Sequence, residues 1–424
     1  MSSITITGNR RVQLPAEMWR EVAIWLSRPD WRTLLHVPHP LRRFALDLFF
    51  RDIFLQFDVY GYHPGDVGPK LGVKELEAWH SKRSLDIMTR ILRDRSFANR
   101  VRTLKVLMCD HRESRLADVI DDFNIVFLSE ALHRMAGLKE LYLYGSPMFL
   151  HVLVSHLPRI SPRLQAVTVK YHTYDGQVYF PRIPTPWDHL EQLCVYPTAE
   201  DLSMYSGGLQ QLARTLRRLR MAHRSNITPT IATLAANLTH LELITPWGAV
   251  DEISLFQVVL GNCEHLESLR LIGCPQQTHS VYFRQYPHSL PRLRDFGVCL
   301  APGLLMVVDP DFFPAICDFL RDRPMLESLE LNSYAAQNDQ TAFGFDMRVW
   351  EFLSSLQHLR ILSTRTVDTI PHKRMVELIP RSVKTLTLSM CDWHLEKMLQ
   401  EVRLIALALS NADRRSIIVG WLAG

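Results

Sequence analysis

From Val101 onward one short pattern of apolar and polar positions keeps returning: apolar, two variable residues, apolar, one variable residue, apolar. It opens at Val101, Leu138, Leu164, Leu190, Leu216, Leu238, Leu266, Leu293, Leu326, Leu359 and Val383. Leu266-Glu-Ser-Leu269-Arg-Leu271 shows it plainly. The last three positions alternate, which predicts a short strand with one buried side. Openings are separated by 22 residues (Leu216 to Leu238) up to 37 (Val101 to Leu138). That leaves room for a helical return between successive strands. Ile231, Leu234 and Leu238 carry helical spacing, as does the stretch from Phe312 to Leu320. Insertions are expected at 110–128, 171–187, 275–291 and 332–345.

The first fifty residues read differently. Leu14-Pro15-Ala16-Glu17 leads into a stretch where Met18, Val22 and Ile24 to Leu26 recur at helical spacing, with Trp19 and Trp25 widening the apolar side. Pro15 suits the first turn, where its missing N–H is no loss. Asp30 is a candidate N-cap for a second helix carrying Leu34 and Val37, and Leu41, Phe44, Ala45 and Leu48 start a third stripe. Pro38 and Pro40 require the second helix to end by Val37 and the third to begin near Pro40. Residues 51–60 fit a helix or a strand, 61–69 a loop, and Val73 to Arg95 a helix.

The run Leu14, Pro15, Glu17, Met18, Val22, Leu26, Asp30, Trp31, Leu34, Val37 and Leu41 resembles the F-box without a gap, although Leu41 stands where that family usually has Trp. The later repeats resemble a degenerate leucine-rich repeat array, whose units run to about 20–29 residues. Cys109, Cys274 and Cys391 fall eight positions after an opening residue, where that repeat places Asn or Cys. The expected architecture is therefore α/β: an F-box-like helical module over 1–50, a linker and helical cap over 51–100, and an irregular solenoid over 101–424. The Trp393–Ser410 helix and the tail Ser416–Leu422 are expected to cap its open end. Together the two parts resemble the fungal-type F-box substrate receptors of cullin ubiquitin ligases. The resemblance implies a non-catalytic subunit. Its adaptor-binding set would be Leu14, Pro15, Glu17, Met18, Val22, Leu26, Leu34, Val37 and Leu41, meeting a Skp-type adaptor and the cullin core. The repeats would hold a protein substrate. A repeat scaffold with a decayed F-box and no ligase role is the alternative.

Composition narrows the field. Net charge is +4, too near balance to argue for nucleic acid or membrane. Seven Cys without a Cys-x-x-Cys pair point to reduced thiols, hence cytoplasm or nucleus. Met1 to Leu14 is polar, with Arg10 and Arg11, and lacks the apolar stretch of a signal peptide. His36 and His39 have no partner ligands at metal spacing, and no phosphate-loop, nucleophile-elbow or dinucleotide motif is present. No cofactor, metal or catalytic set is expected.

Strand alternation supplies a candidate binding face. If the fourth and sixth pattern residues point inward, the intervening ones form columns on the other side. Those columns contain Glu140, Tyr142, Tyr144, Lys170, Gln192, Tyr196, Arg218, Arg220, Glu242, Arg270, Glu330 and Arg365. Tyr142, Tyr144, Tyr196, Arg218, Arg220 and Arg270 are the candidate substrate contacts, because Tyr and Arg are enriched among interface anchors. The mixture suits an acidic or phosphorylated segment.

Overall fold

The computed structural model describes residues 15–57, 71–108, 116–145, 150, 153–154, 157, 160–161, 163–171, 189–196, 212–222, 228–245, 252–273, 279–300, 307–333, 342–365, 372–389 and 418–422. Leu14, Cys109, Cys274, Cys391 and the expected 393–410 helix lie outside them. The chain divides into two compact units, Met1–Tyr142 and Leu143–Gly424.

In the first unit, helix α1 spans Ala16–Trp25, with Pro15 as its N-cap residue rather than inside its first turn. Helix α2 spans Arg28–Leu34. Ser27, not Asp30, is its N-cap. The Ser27 hydroxyl accepts the Asp30 N–H, and the Asp30 carboxylate accepts the Ser27 N–H at 3.1 Å. This reciprocal arrangement satisfies two otherwise orphaned donors. Helix α3, Leu41–Phe49, starts directly after Pro40, so both prolines fall between helices. Ala23, Leu41 and Ala45 are buried in this module. Trp31 Nε1 donates to the Ala23 carbonyl at 2.7 Å, and Trp19 meets His39 edge-on at 5.2 Å.

Strand β1, Asp52–Gln56, pairs in parallel with β2, Thr103–Met108. The sheet thus starts one strand before Val101. Phe50, Ile53 and Leu55 carry the repeat pattern, but Phe50 closes α3 and an aromatic opens the pattern. Between these strands lie α4 (Leu71–Arg93) and α5 (Arg95–Ala98). Ser84 of α4 is buried and caps the free edge of β1. Its hydroxyl accepts the Gln56 N–H and also contacts the Gln56 carbonyl, each at 2.8 Å. An unpaired edge is otherwise a template for foreign strands. Helix α6, Leu116–Arg134, fills most of the stretch expected to be an insertion. Strand β3, Glu140–Gly145, carries the chain across the division.

The second unit is a parallel sheet in strict chain order. Its strands are β4 (Ala166–Tyr171), β5 (Gln192–Tyr196), β6 (Arg218–Ala222), β7 (His240–Thr245) and β8 (Ser268–Gly273). They continue as β9 (Asp295–Leu300), β10 (Ser328–Ser333), β11 (Ile361–Arg365), β12 (Thr385–Ser389) and β13 (Ile418–Leu422). Every neighbouring pair is parallel. This is the solenoid expected from the spacing, and the tail adds a last strand.

Among the described residues one backbone step recurs at the starts of β2, β3 and β5 to β12. The carbonyl of the second pattern residue accepts two successive N–H groups from the next repeat. Arg217 O takes Thr239 and His240 at 2.8 and 3.0 Å, and Thr239 O takes Glu267 and Ser268 at the same distances. Gln165, Glu191, Glu267, Arg294, Glu327 and Arg360 do likewise, as do Arg51 and Arg102 in the first unit. A carbonyl has two lone pairs, so one oxygen satisfies both donors. Behind this step the first, fourth and sixth pattern residues are buried: Leu238, Leu241 and Leu243 are at most 1% exposed. Each such side chain stabilises by roughly 1.5–3 kcal/mol. Leu271, at the sixth position of its repeat, is half-exposed.

The returning helices pack on that buried side. They include Glu252–Asn262, Ser280–Gln285, Phe312–Leu320 and Met347–Leu353. Phe296 of β9 meets Phe283 and Phe319 of two of them, with ring centroids 6.2 and 6.1 Å away. Arg323 fastens this layer. It is buried, its guanidinium lies 4.0 Å over the Phe319 ring, and it donates to the carbonyls of Phe319, Leu290, Pro287 and Ser289. Burial lowers its pKa to about 10, so it stays charged at neutral pH. We expect Arg323→Met to keep the aliphatic packing yet destabilise the chain by about 2–4 kcal/mol, because buried carbonyls lose a charged donor. Arg323→Lys should not rescue, since an ammonium cannot fork to these acceptors. Urea unfolding of the full chain checks both.

Candidate functional site

The helical module presents two adjacent stripes on α1. At about 100° per residue, Trp19, Ala23 and Leu26 share one line, and Met18, Val22 and Trp25 share the next. The first faces the module: Ala23 is fully buried and Trp19 and Leu26 are half-buried. The second faces out, with Met18 52%, Val22 40% and Trp25 86% exposed. Pro15, Glu17 and Val37 are also exposed, Leu34 is half-buried, and Leu41 is buried inside the module. The sequence pattern showed a single wide apolar side. Which half turns inward is decided by α3 and by Trp31, so Trp25 was not singled out as a contact.

The sheet of the second unit offers the other surface. Register sets Arg218 beside His240, and Arg220 beside Glu242. Glu242 lies beside Arg270, Arg270 beside Gly297, and Gly297 beside Glu330. Arg218, Arg220 and Arg270 therefore share the side of the sheet opposite Leu219 and Leu269. Two of them are engaged with the sheet itself. Arg220 Nη2 lies 2.8 Å from Glu242 Oε1, and Arg270 Nη2 lies 2.6 Å from Glu330 Oε2. Arg270 reaches Glu330 by lying across Gly297, where an added Cβ would come within 2.9 Å of Arg270 Cγ. Asn332 Nδ2 extends the chain, donating to Glu330 at 2.9 Å and to Ser363 at 3.0 Å.

Burial raises the Glu242 carboxyl above its usual range, and Arg220 and Arg270 pull against that without cancelling it. Burial, then Arg218, lowers the His240 pKa, so its imidazole is neutral at pH 7. Among the tyrosines, Tyr142 belongs to the first unit, where its hydroxyl meets Glu140 at 3.3 Å and Lys105 Nζ lies 5.2 Å from its ring. Tyr144 lies in the second unit with Lys170 Nζ 5.3 Å from its ring. The Tyr196 backbone is in register with Lys170, while the side chains of Tyr196 and Arg365 are outside the described set.

Among the described residues no three His, Cys, Asp or Glu side chains gather as metal ligands, and no helix is long and apolar enough to cross a membrane. Burial pushes the Cys263 and Cys317 thiols up to about 12, which leaves them protonated and unreactive.

No protein-family model matches the chain, and no curated protein matches it. Among solved structures, 88% of the chain aligns with 88% of a chain in the crystal structure of the Rad7 and Elc1 complex in yeast. That alignment has 12% identity and a TM-score of 0.41.

Gly297→Ala should part Arg270 from Glu330 and cost about 1–3 kcal/mol by overpacking, read as a lower urea midpoint. Because folded Glu242 holds its proton more tightly than a usual carboxyl, its contribution is present at low pH. It is lost as pH rises from 4.5 through the raised value. Glu242→Gln should flatten that part of the stability–pH curve relative to the parent chain.

Proposed function

We propose that this chain is the substrate-receptor subunit of a Skp–cullin–F-box-type ubiquitin ligase, itself non-catalytic and working in the cytoplasm or nucleus. The observation that carries the reading is the outward stripe Met18–Val22–Trp25 on a small module that already has its own buried centre. A free amphipathic helix face of this kind is a docking surface for a partner. The stripe sits within the residues that resemble the F-box, and Pro40 starts α3 without breaking it. That favours a competent module over a decayed one. Leu14, Pro15, Glu17, Met18 and Val22 then contact a Skp-type adaptor, with Val37 at the rim. Leu26, Leu34 and Leu41 hold the stripe in place. The repeats receive the protein to be modified, through the sheet side that carries Arg218, Arg220 and Arg270, and Tyr142, Tyr144 and Tyr196 are further candidate contacts.

Each buried Met or Val side chain would add roughly 1.5–3 kcal/mol on docking. Met18→Asp with Val22→Asp should therefore abolish co-purification of a Skp-type adaptor while leaving the thermal unfolding of the chain unchanged. Leu14→Ala with Pro15→Ala should weaken it in the same direction. Adaptor recovery equal to that of the parent chain in both variants would refute the assignment.

A further inference from the structure

The sheet face of the second unit is not uniformly basic. Its columns run across the strands. One column reads Arg220, Glu242, Arg270, Gly297, Glu330 and is neutralised internally by the two ion pairs described above. The neighbouring column reads Gln192, Arg218, His240, Ser268, Asp295, Ser328. Among the described residues, its two charged members form no ion pair. Arg218 is exposed, and Asp295 is half-buried against the Ser328 hydroxyl. The nearby Arg294 engages Glu327 at 3.6 Å. What remains after internal pairing in these two columns, among the described residues, is one cation on β6 and one carboxylate on β9, with a neutral imidazole and a serine between them.

Three strand steps separate Arg218 from Asp295, which is about 14 Å at about 4.8 Å per step. An extended polypeptide advances about 3.3–3.4 Å per residue and returns to the same side at every second residue. Residues four apart on such a segment are therefore on one side and about 13–14 Å apart. Two apart is about 7 Å, and six apart about 20 Å. A helix fails the same fit, because nine residues cover about 14 Å but end on the opposite side.

We propose that this face receives an extended polypeptide segment crossing β6 to β9, with an acidic side chain on Arg218 and a basic side chain four residues away on Asp295. The inference rests on the reading that the repeats hold a polypeptide. It replaces a purely acidic or phosphorylated partner, which would meet Glu242, Asp295 and Glu330 and find Arg220 and Arg270 already engaged.

The test uses the full chain with isotope-labelled histidine and follows the His240 imidazole, which lies in the column between the two contacts. The probe is the capped peptide Ser-Glu-Thr-Val-Thr-Lys-Ser, with Glu and Lys four apart. It should shift the His240 signal saturably. A peptide with Glu and Lys two apart, and one with Lys replaced by Glu, should bind about tenfold more weakly or worse. Arg218→Glu and Asp295→Lys should each weaken the first peptide. The double reversal should restore binding, because the segment then lies the other way round, and that restoration also shows that the fold is intact. No saturable shift, equal binding of the three peptides, or a double variant as weak as the single ones would overturn the proposal. Adaptor recovery, measured on the same variants, separates the two readings. Peptide binding without adaptor binding removes the ligase role and keeps this site, and adaptor binding with a flat peptide response does the reverse.

Discussion

Ten strands among the described residues are set against the one before by a single main-chain step: two successive N–H groups of a repeat meet one carbonyl of the preceding repeat. The donors and the acceptor are all backbone, so the side chain at that position is free to vary. Arg51, Arg102, Gln165, Glu191, Arg217, Thr239, Glu267, Arg294, Glu327 and Arg360 all serve. The fourth and sixth pattern residues follow at fixed distance and are driven inward by burial. A slip of one residue would turn Leu241 and Leu243 outward and bury His240 and Glu242 in their place. The columns on the other side exist because this register is held strand after strand.

That division of labour explains what could be read from the chain. The repeat openings from Leu164 to Val383 were legible because the hydrophobic requirement sits on side chains. The stretch around Asp52–Gln56 fits either a helix or a strand in sequence and does not announce itself as a repeat, because Phe50 opens it where the later repeats use Leu or Val, and because it follows a helix directly. The strand Ile418–Leu422 was read only as a capping tail, since its pattern opens on Ser416. At the amino terminus, helical spacing identified apolar positions but not their partners. Trp19 and Trp25 look alike in sequence, yet one lies against His39 while the other stands in solvent. On the sheet, alternation alone is enough to set Arg218, Arg220 and Arg270 on the side opposite Leu219 and Leu269. The engagement of Arg220 by Glu242 and of Arg270 by Glu330 depends on contacts across strands, and Arg270 spans the gap left by Gly297. A list of basic residues does not contain that information.

The two surfaces differ in kind, and so would their partners. The α1 stripe is apolar, made of Met, Val and Trp, and would gain most from excluding water. The sheet columns are polar and largely self-neutralised, so a partner bound there would be selected by the spacing of charge rather than by its amount. A receptor that joins one constant partner and selects among variable ones would use surfaces of these two sorts.

Hydrogen–deuterium exchange of the full chain, with and without a purified Skp-type adaptor, separates docking on α1 from docking on the sheet. Docking on α1 gives new protection confined to the stretch Ala16–Trp25 and its flanks. The amide pairs at the strand starts, such as Thr239 with His240 and Glu267 with Ser268, should be slow and unchanged in both states. Protection appearing on the sheet with none over Ala16–Trp25 would contradict docking on α1, and strand-start amides that exchange freely in the chain alone would contradict the main-chain step.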